Sequence, residues 1–182
     1  MISVGPFCVM FDAMSTRPPF TILVSGPESS GKTTLAVQLA AALDGLYVAE
    51  AARAYLIRQS GLYSEADLPL IWAAQAKAED TARASSASFV VCDTGPEVIY
   101  HWALVRFGRV PTEVIRASRK RHYDLVLLCT PDLPWEPDPL REAPDLDRRQ
   151  AYFKAYRELV PGATIISGSN RPAQALAAVF SR

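Results

Sequence analysis

The chain has 182 residues, 49% of them hydrophobic and 21% charged, with 19 Lys and Arg against 19 Asp and Glu. That length fits one compact domain whose core needs no staples, and the composition excludes a disordered chain. Zero net charge leaves no basic footprint for nucleic acid or an anionic membrane, and no stretch reaches the roughly 20 apolar residues of a membrane span.

Residues 1–18 are mildly apolar but lack the basic start and small-residue cleavage pattern of a signal peptide. With Met10 and Met14 inside it, this segment is read as an N-terminal extension, and residues 19–182 as the domain; a cytoplasmic setting is expected. Cys8, Cys92 and Cys129 show no CxxC spacing, and the last two sit in apolar runs where a thiol acts as a small hydrophobe. His101 and His122 are too few and too far apart to propose a metal site.

A β-rich apolar run, residues 20–24, opens the domain and is followed by Ser25 and Gly26. Residues 32–43 then read as a helix with Leu35, Leu39 and Leu43 on one face, ended by Asp44-Gly45. Residues 46–49 are a short candidate buried strand, and 50–59 a helix that stops at Ser60-Gly61. Asp67 is read as the cap of a long helix running toward Arg83. Residues 89–93 form the clearest buried strand, ending on Asp93. Helices over 97–107 and from about 111 precede another buried strand at 125–129. Proline crowds 131–144 and forbids a regular helix throughout. A helix at 147–159, a strand at 163–166 and a helix at 172–180 complete the pattern. Alternating elements of these lengths predict an α/β three-layer sandwich with a parallel sheet of about five strands, and ligands bind beyond the carboxyl ends of such strands.

Between the first strand and its helix lies Gly26-Pro27-Glu28-Ser29-Ser30-Gly31-Lys32-Thr33, the GxxxxGK[ST] pattern of a P-loop NTPase. Small residues let the backbone curl so that its N–H groups face an anion, and the helix adds its positive end. Gly26, Glu28, Ser29, Ser30, Gly31, Lys32, Thr33 and Thr34 are therefore read as the ATP-binding segment. Lys32 reaches the outer phosphates and Thr33 ligates Mg2+.

Asp93 at its strand end is read either as a magnesium-associated carboxylate or as the base for an attacking hydroxyl; a helix cap is the plain alternative. Glu50 and Arg53, just after the second strand, are candidate acceptor contacts, with a surface ion pair as alternative. In the proline-stiffened segment, Arg141 is read as a lid residue that meets phosphate. Trp135 is read as a stacking platform or a hydrophobic anchor, and Asp138 lies between them. Gln75, inside the long helix, is the weakest of the acceptor-site candidates. The run Arg116, Arg119, Lys120, Arg121 and His122 reads as a solvated helix end.

GPESSGKTTL, EAARAYL, the Asp93 strand end and PWEPDPLRE, followed by Arg148 or Arg149 and Phe153, together resemble the NadR-type ribosylnicotinamide kinase family over about residues 20–180. The resemblance implies phosphorylation of a nucleoside 5′-hydroxyl by MgATP, with nicotinamide riboside as leading acceptor. It further implies that Lys32 and Thr33 serve ATP and magnesium, that Glu50 and Arg53 face the acceptor, and that Trp135 stacks on its ring. Family members often carry Asp-Thr-Asp where this chain has Asp93-Thr94-Gly95, so the second acid is missing unless Glu97 replaces it. The full regulator also carries a DNA-binding and an adenylyltransferase part, for which 182 residues leave no room. An ATP-dependent binding switch and a kinase with another acceptor are the competing expectations.

Overall fold

A computed structural model describes residues 17–181. The reading of residues 1–18 as an extension, and Cys8 with it, falls almost wholly outside them. The described elements are β1 (Phe20–Ser25), α1 (Lys32–Ala42), β2 (Leu46–Val48), α2 (Ala51–Arg58), α3 (Asp67–Arg83), β3 (Phe89–Asp93), α4 (Pro96–Phe107), α5 (Thr112–Lys120), β4 (Leu125–Cys129), α6 (Leu146–Leu159), β5 (Thr164–Ile166) and α7 (Arg171–Phe180).

All five strands pair in parallel in the order β2-β3-β1-β4-β5. Strand alternation divides the core between the two faces. Ile22, Val24, Val91, Leu127 and Cys129 pack with Leu35 and Leu39 of α1 and Ala175 and Val179 of α7. Leu23, Val90 and Cys92 pack on the opposite face with Ala82 of α3. Leu128 meets Val98 of α4 and Tyr156 of α6 on that second face. The expected three-layer sandwich is present, and among the described residues no helix is long and apolar enough to cross a membrane.

Three local expectations are corrected. β2 lies at the sheet edge, and Leu46 and Tyr47 are exposed rather than buried, because only β3 covers it. Asp67 is not the cap of α3; it sits in the first turn and reaches back to accept the Ser64 N–H and hydroxyl, each at 2.7 Å. Ser64 and Asp67 thus form one half of a capping box. Arg121 leaves the solvated basic run: it pairs with Glu79 at 2.7 Å and Asp80 at 2.6 Å, and Glu79 has no exposed surface at all.

Between β4 and α6 the chain makes an irregular strap, residues 130–145, and Asp145 caps α6 by accepting the Arg148 N–H at 2.8 Å.

Candidate active site

The turn from β1 into α1 uses backbone conformations that few residues tolerate. Gly26 has φ 141°, and a Cβ there would lie 2.6 Å from the Cys129 carbonyl oxygen. Gly31 has φ 75° and sits 2.9 Å, by the same measure, from Leu133. Side chains are excluded at both, so the loop can curl against β4 and the strap. α1 begins with no side-chain cap, which leaves its first N–H groups to an incoming anion. The Lys32 ammonium meanwhile donates to the Pro27 carbonyl at 2.9 Å, folded back along the loop.

A cavity of about 760 Å³ opens above this loop. Gly26, Glu28, Ser29, Ser30, Gly31, Lys32, Thr33 and Thr34 all line it, as expected from the sequence. On one side it continues between Glu50, Arg53 and Leu56 of the β2–α2 region and Val98, Trp102 and Tyr156. On the other it ends against Gln38, Gly168, Ser169 and Arg171. The strap closes it from above with Leu133, Glu136, Asp138 and Arg141.

Glu50 ends the turn after β2 and faces the cavity. Burial pushes its carboxyl up to about 7, against the pull of Lys32, and neighbouring Asp93 adds to the rise. Arg53, one turn on in α2, pairs with Asp138 of the strap at 2.7 Å. That hydrogen bond, foremost, holds the Asp138 carboxyl below its ordinary range.

The strap is also fastened to the phosphate loop. Glu28 accepts the Glu142 and Ala143 N–H groups, each at 2.9 Å. Arg141 donates to the Ser29 hydroxyl at 3.0 Å and to the Glu136 carbonyl at 2.5 Å. Glu28, expected to serve ATP, thus holds the strap with its carboxylate while lining the cavity.

Three candidate residues lie off the cavity wall. Asp93 is 1% exposed; one oxygen accepts from the Tyr47 hydroxyl at 3.1 Å, and the other, Oδ1, is buried without a partner. Gln75 is consumed as a brace: its carbonyl oxygen accepts the Ala51 N–H at 2.8 Å, and its amide donates to the Thr94 carbonyl at 3.4 Å and to Glu79 at 3.3 Å. Trp135 sits behind the wall, its ring 6.0 Å from the Arg141 guanidinium and 5.6 Å from that of Arg149.

Glu97 is fully buried and accepts from the Ser25 hydroxyl at 2.7 Å and the Gly95 N–H at 3.1 Å. Burial raises its carboxyl above the ordinary value. A Cβ on Gly95 would lie 2.6 Å from its Oε2, 3.0 Å from the Tyr123 hydroxyl and 3.1 Å from Leu23. The space beside Thr94 is filled from α4, but Glu97 does not reach the cavity wall.

Leu56, Val98, Trp102, Tyr156 and the Gly168–Arg171 region were not singled out from the sequence. Val98 and Trp102, four residues apart, share one face of the helix that follows Asp93, and Gly168 follows the last strand. The strand-end rule, extended to those two junctions, is the signal that reaches them.

The donor set fits a magnesium ion that arrives with nucleotide. The orphaned Asp93 Oδ1 and the Thr33 hydroxyl are protein oxygens that could serve it, and among the described residues no group of three His, Cys, Asp or Glu side chains converges on a metal. Such an ion takes its other ligands from phosphate oxygens and water.

A protein-family model described as an AAA domain matches residues 21–166. A crystal structure of NadR protein in complex with NR superposes with TM-score 0.69 at 19% identity, covering 90% of this chain and 51% of that one. A second, NadR protein in complex with NAD and AMP-PNP, gives 0.70 at 20% identity, covering 90% and 49%. The chain therefore has their fold and spans about half their length. No curated protein matches the sequence.

Proposed function

The chain belongs to the AAA domain family, and from that premise we propose that it is an ATP-dependent small-molecule kinase acting on a nucleoside 5′-hydroxyl, with nicotinamide riboside as leading acceptor. One observation carries this reading: the lining of the cavity does not stop at the phosphate loop but also takes in Glu50, Arg53, Trp102 and Tyr156. Nucleotide hydrolysis alone gives no role to lining beyond the phosphate loop.

In this reading ATP lies along the loop, with Lys32 released from Pro27 to its outer phosphates. Thr33 and Asp93 would hold magnesium, which when bound would neutralise charge on the phosphate oxygens. The acceptor hydroxyl oxygen forms a bond to the γ-phosphorus while the bond to the β–γ bridging oxygen breaks, and ADP departs. Glu50 takes the hydroxyl proton, since it lines the cavity whereas Asp93 does not. Arg141, beside Ser29, meets charge developing on the transferred group. Trp102 offers an aromatic ring, and Glu28 and Glu50 negative charge, to a flat cationic base. The resemblance of the loop, EAARAYL and strap sequences supports nicotinamide riboside, as does the neighbour's complex with NR. A cytoplasmic setting, where ATP is supplied, belongs to the same proposal.

ADP release is to be measured with nicotinamide riboside, a panel of other nucleosides, and no acceptor. Turnover that requires an acceptor supports the kinase reading and names its substrate. Equal turnover without one, across the panel, overturns it.

A second reading, an ATP-dependent binding switch, draws on the Glu28 and Ser29 contacts that tie the strap to the phosphate loop. Nucleotide binding would then reshape the strap for a partner, and the acceptor-free arm of the same assay separates the two.

A further inference from the structure

Asp93 presents an asymmetric carboxylate. Oδ2 accepts from the Tyr47 hydroxyl, whereas Oδ1 is buried and has no protein partner. The contact follows from the sheet. Tyr47 pairs with Val91 in the parallel β2–β3 ladder, so its side chain shares a face with Val91 and Asp93. This is the face that α1 covers, since Val91 packs with Leu35 and Leu39. A tyrosine is long enough to reach the diagonal neighbour two residues along the adjacent strand.

The backbone at this strand end is fixed by other groups. Thr94 adopts φ 67°, a costly conformation for a β-branched residue. Its N–H bonds the Val24 carbonyl at 3.0 Å, and its own carbonyl accepts from Gln75. None of these contacts fixes rotation of the Asp93 carboxylate. Among the described residues, the Tyr47 phenol is the side chain that hydrogen-bonds it.

We propose that Tyr47 is a positioning residue of the phosphoryl-transfer site: by engaging Oδ2 it presets the Asp93 carboxylate with Oδ1 free for a divalent cation. The inference rests on the proposed role of Asp93 beside magnesium. It also gives a role to the hydroxyl of an aromatic residue on the edge strand.

The test is binding rather than turnover. Affinity for a non-hydrolysable ATP analogue is measured by calorimetry across a magnesium titration, for the wild type, Tyr47→Phe and Asp93→Asn, alongside melting temperatures. Loss of one hydrogen bond to a carboxylate predicts that Tyr47→Phe needs about three- to tenfold more magnesium for half-maximal binding, with binding in magnesium-free buffer unchanged. A normal magnesium requirement in Tyr47→Phe beside a raised one in Asp93→Asn overturns the inference alone. Equal weakening with and without magnesium shows a merely structural residue and overturns it as well. A normal requirement in Asp93→Asn removes the metal role of Asp93, and this inference with it.

Discussion

The carboxylate of Glu28, in the phosphate loop, accepts the backbone N–H of Ala143, in the strap, at 2.9 Å. Ala143 is itself completely buried, so this part-buried hydrogen bond pins the strap's return limb beside the nucleotide site. A charge-assisted hydrogen bond is worth at least about 1.5 kcal/mol, close to a factor of ten in an opening equilibrium. Glu28→Ala is therefore expected to speed amide hydrogen exchange at Glu142 and Ala143 by about tenfold or more, while amides of β1 and β4 keep their protection. Unchanged exchange at Ala143 would show that the strap is held by other contacts.

Lys32 sits at the start of α1 and donates to the Pro27 carbonyl. Lys32→Ala removes the side-chain charge assigned to the outer phosphates and should lower kcat at least about a hundredfold, as losing one electrostatic stabiliser does in other sites. The fold should persist, since Lys32 contributes one loop hydrogen bond, and a melting curve alongside the assay checks this.

Glu50 sets a pH dependence with a definite sign. Its folded value of about 7 lies above the ordinary 4.5, so between these limits the folded chain holds a proton that the unfolded chain has released. This contribution to stability is full below about pH 4.5 and is lost as pH rises through about 7. In ligand-free protein, the melting temperature of Glu50→Gln relative to the wild type should climb from pH 5 to pH 8. A constant difference over that range would remove the perturbed carboxyl from the account.

Two tryptophans should separate by kinetics. Trp102 lines the cavity, and Trp135, in the strap, lies off its wall against Arg141 and Arg149. Trp102→Ala should raise the acceptor KM about tenfold or more, through lost apolar contact of about 1.5 kcal/mol or greater. Trp135→Ala should change that KM little and lower kcat, through a less ordered Arg141. Steady-state kinetics with varied acceptor at saturating ATP distinguishes them; the reverse pattern restores Trp135 as the ring platform.

Arg121 carries a stability prediction remote from the site. It bonds the fully buried Glu79, whose other basic neighbour, Arg83, lies at 3.8 Å. Removing one member of a buried pair strands the other's charge, so Arg121→Ala should cost toward the lower end of ~3–5 kcal/mol in chemical denaturation. A loss under about 1 kcal/mol would mean Arg83 and Tyr123 suffice to hold Glu79.

Much of this site was legible because its parts are local. The phosphate loop is eight consecutive residues whose glycines and lysine announce their geometry, and Asp93 ends a run of apolar residues no helix would carry. Glu50 and Arg53 followed from the strand-end rule. What could not be read was pairing across sequence distance. Nothing near Trp135 says that two arginines will hold it off the cavity, and Gln75 gives no sign that its amide spans Ala51 and Thr94. Arg121 looked like its solvated neighbours, because Glu79 lies 42 positions away and only the packing of α3 beside α5 brings them together. β2 misled for a related reason: an apolar triplet has the same composition at an edge as in the middle of a sheet, and strand order is not written within it.

Gly95 and Glu97 lie two positions apart yet compete for the same few cubic ångströms, with Tyr123 and Leu23 closing the remaining sides. A replacement at 95 displaces the Glu97 carboxylate and is therefore easier on a background in which 97 has already shrunk, while shrinking 97 first strands the Ser25 hydroxyl and the Gly95 N–H. Either single step is expected to cost more than the pair. The two positions are expected to be coupled, so a combinatorial library over both should recover active pairs that neither single scan contains.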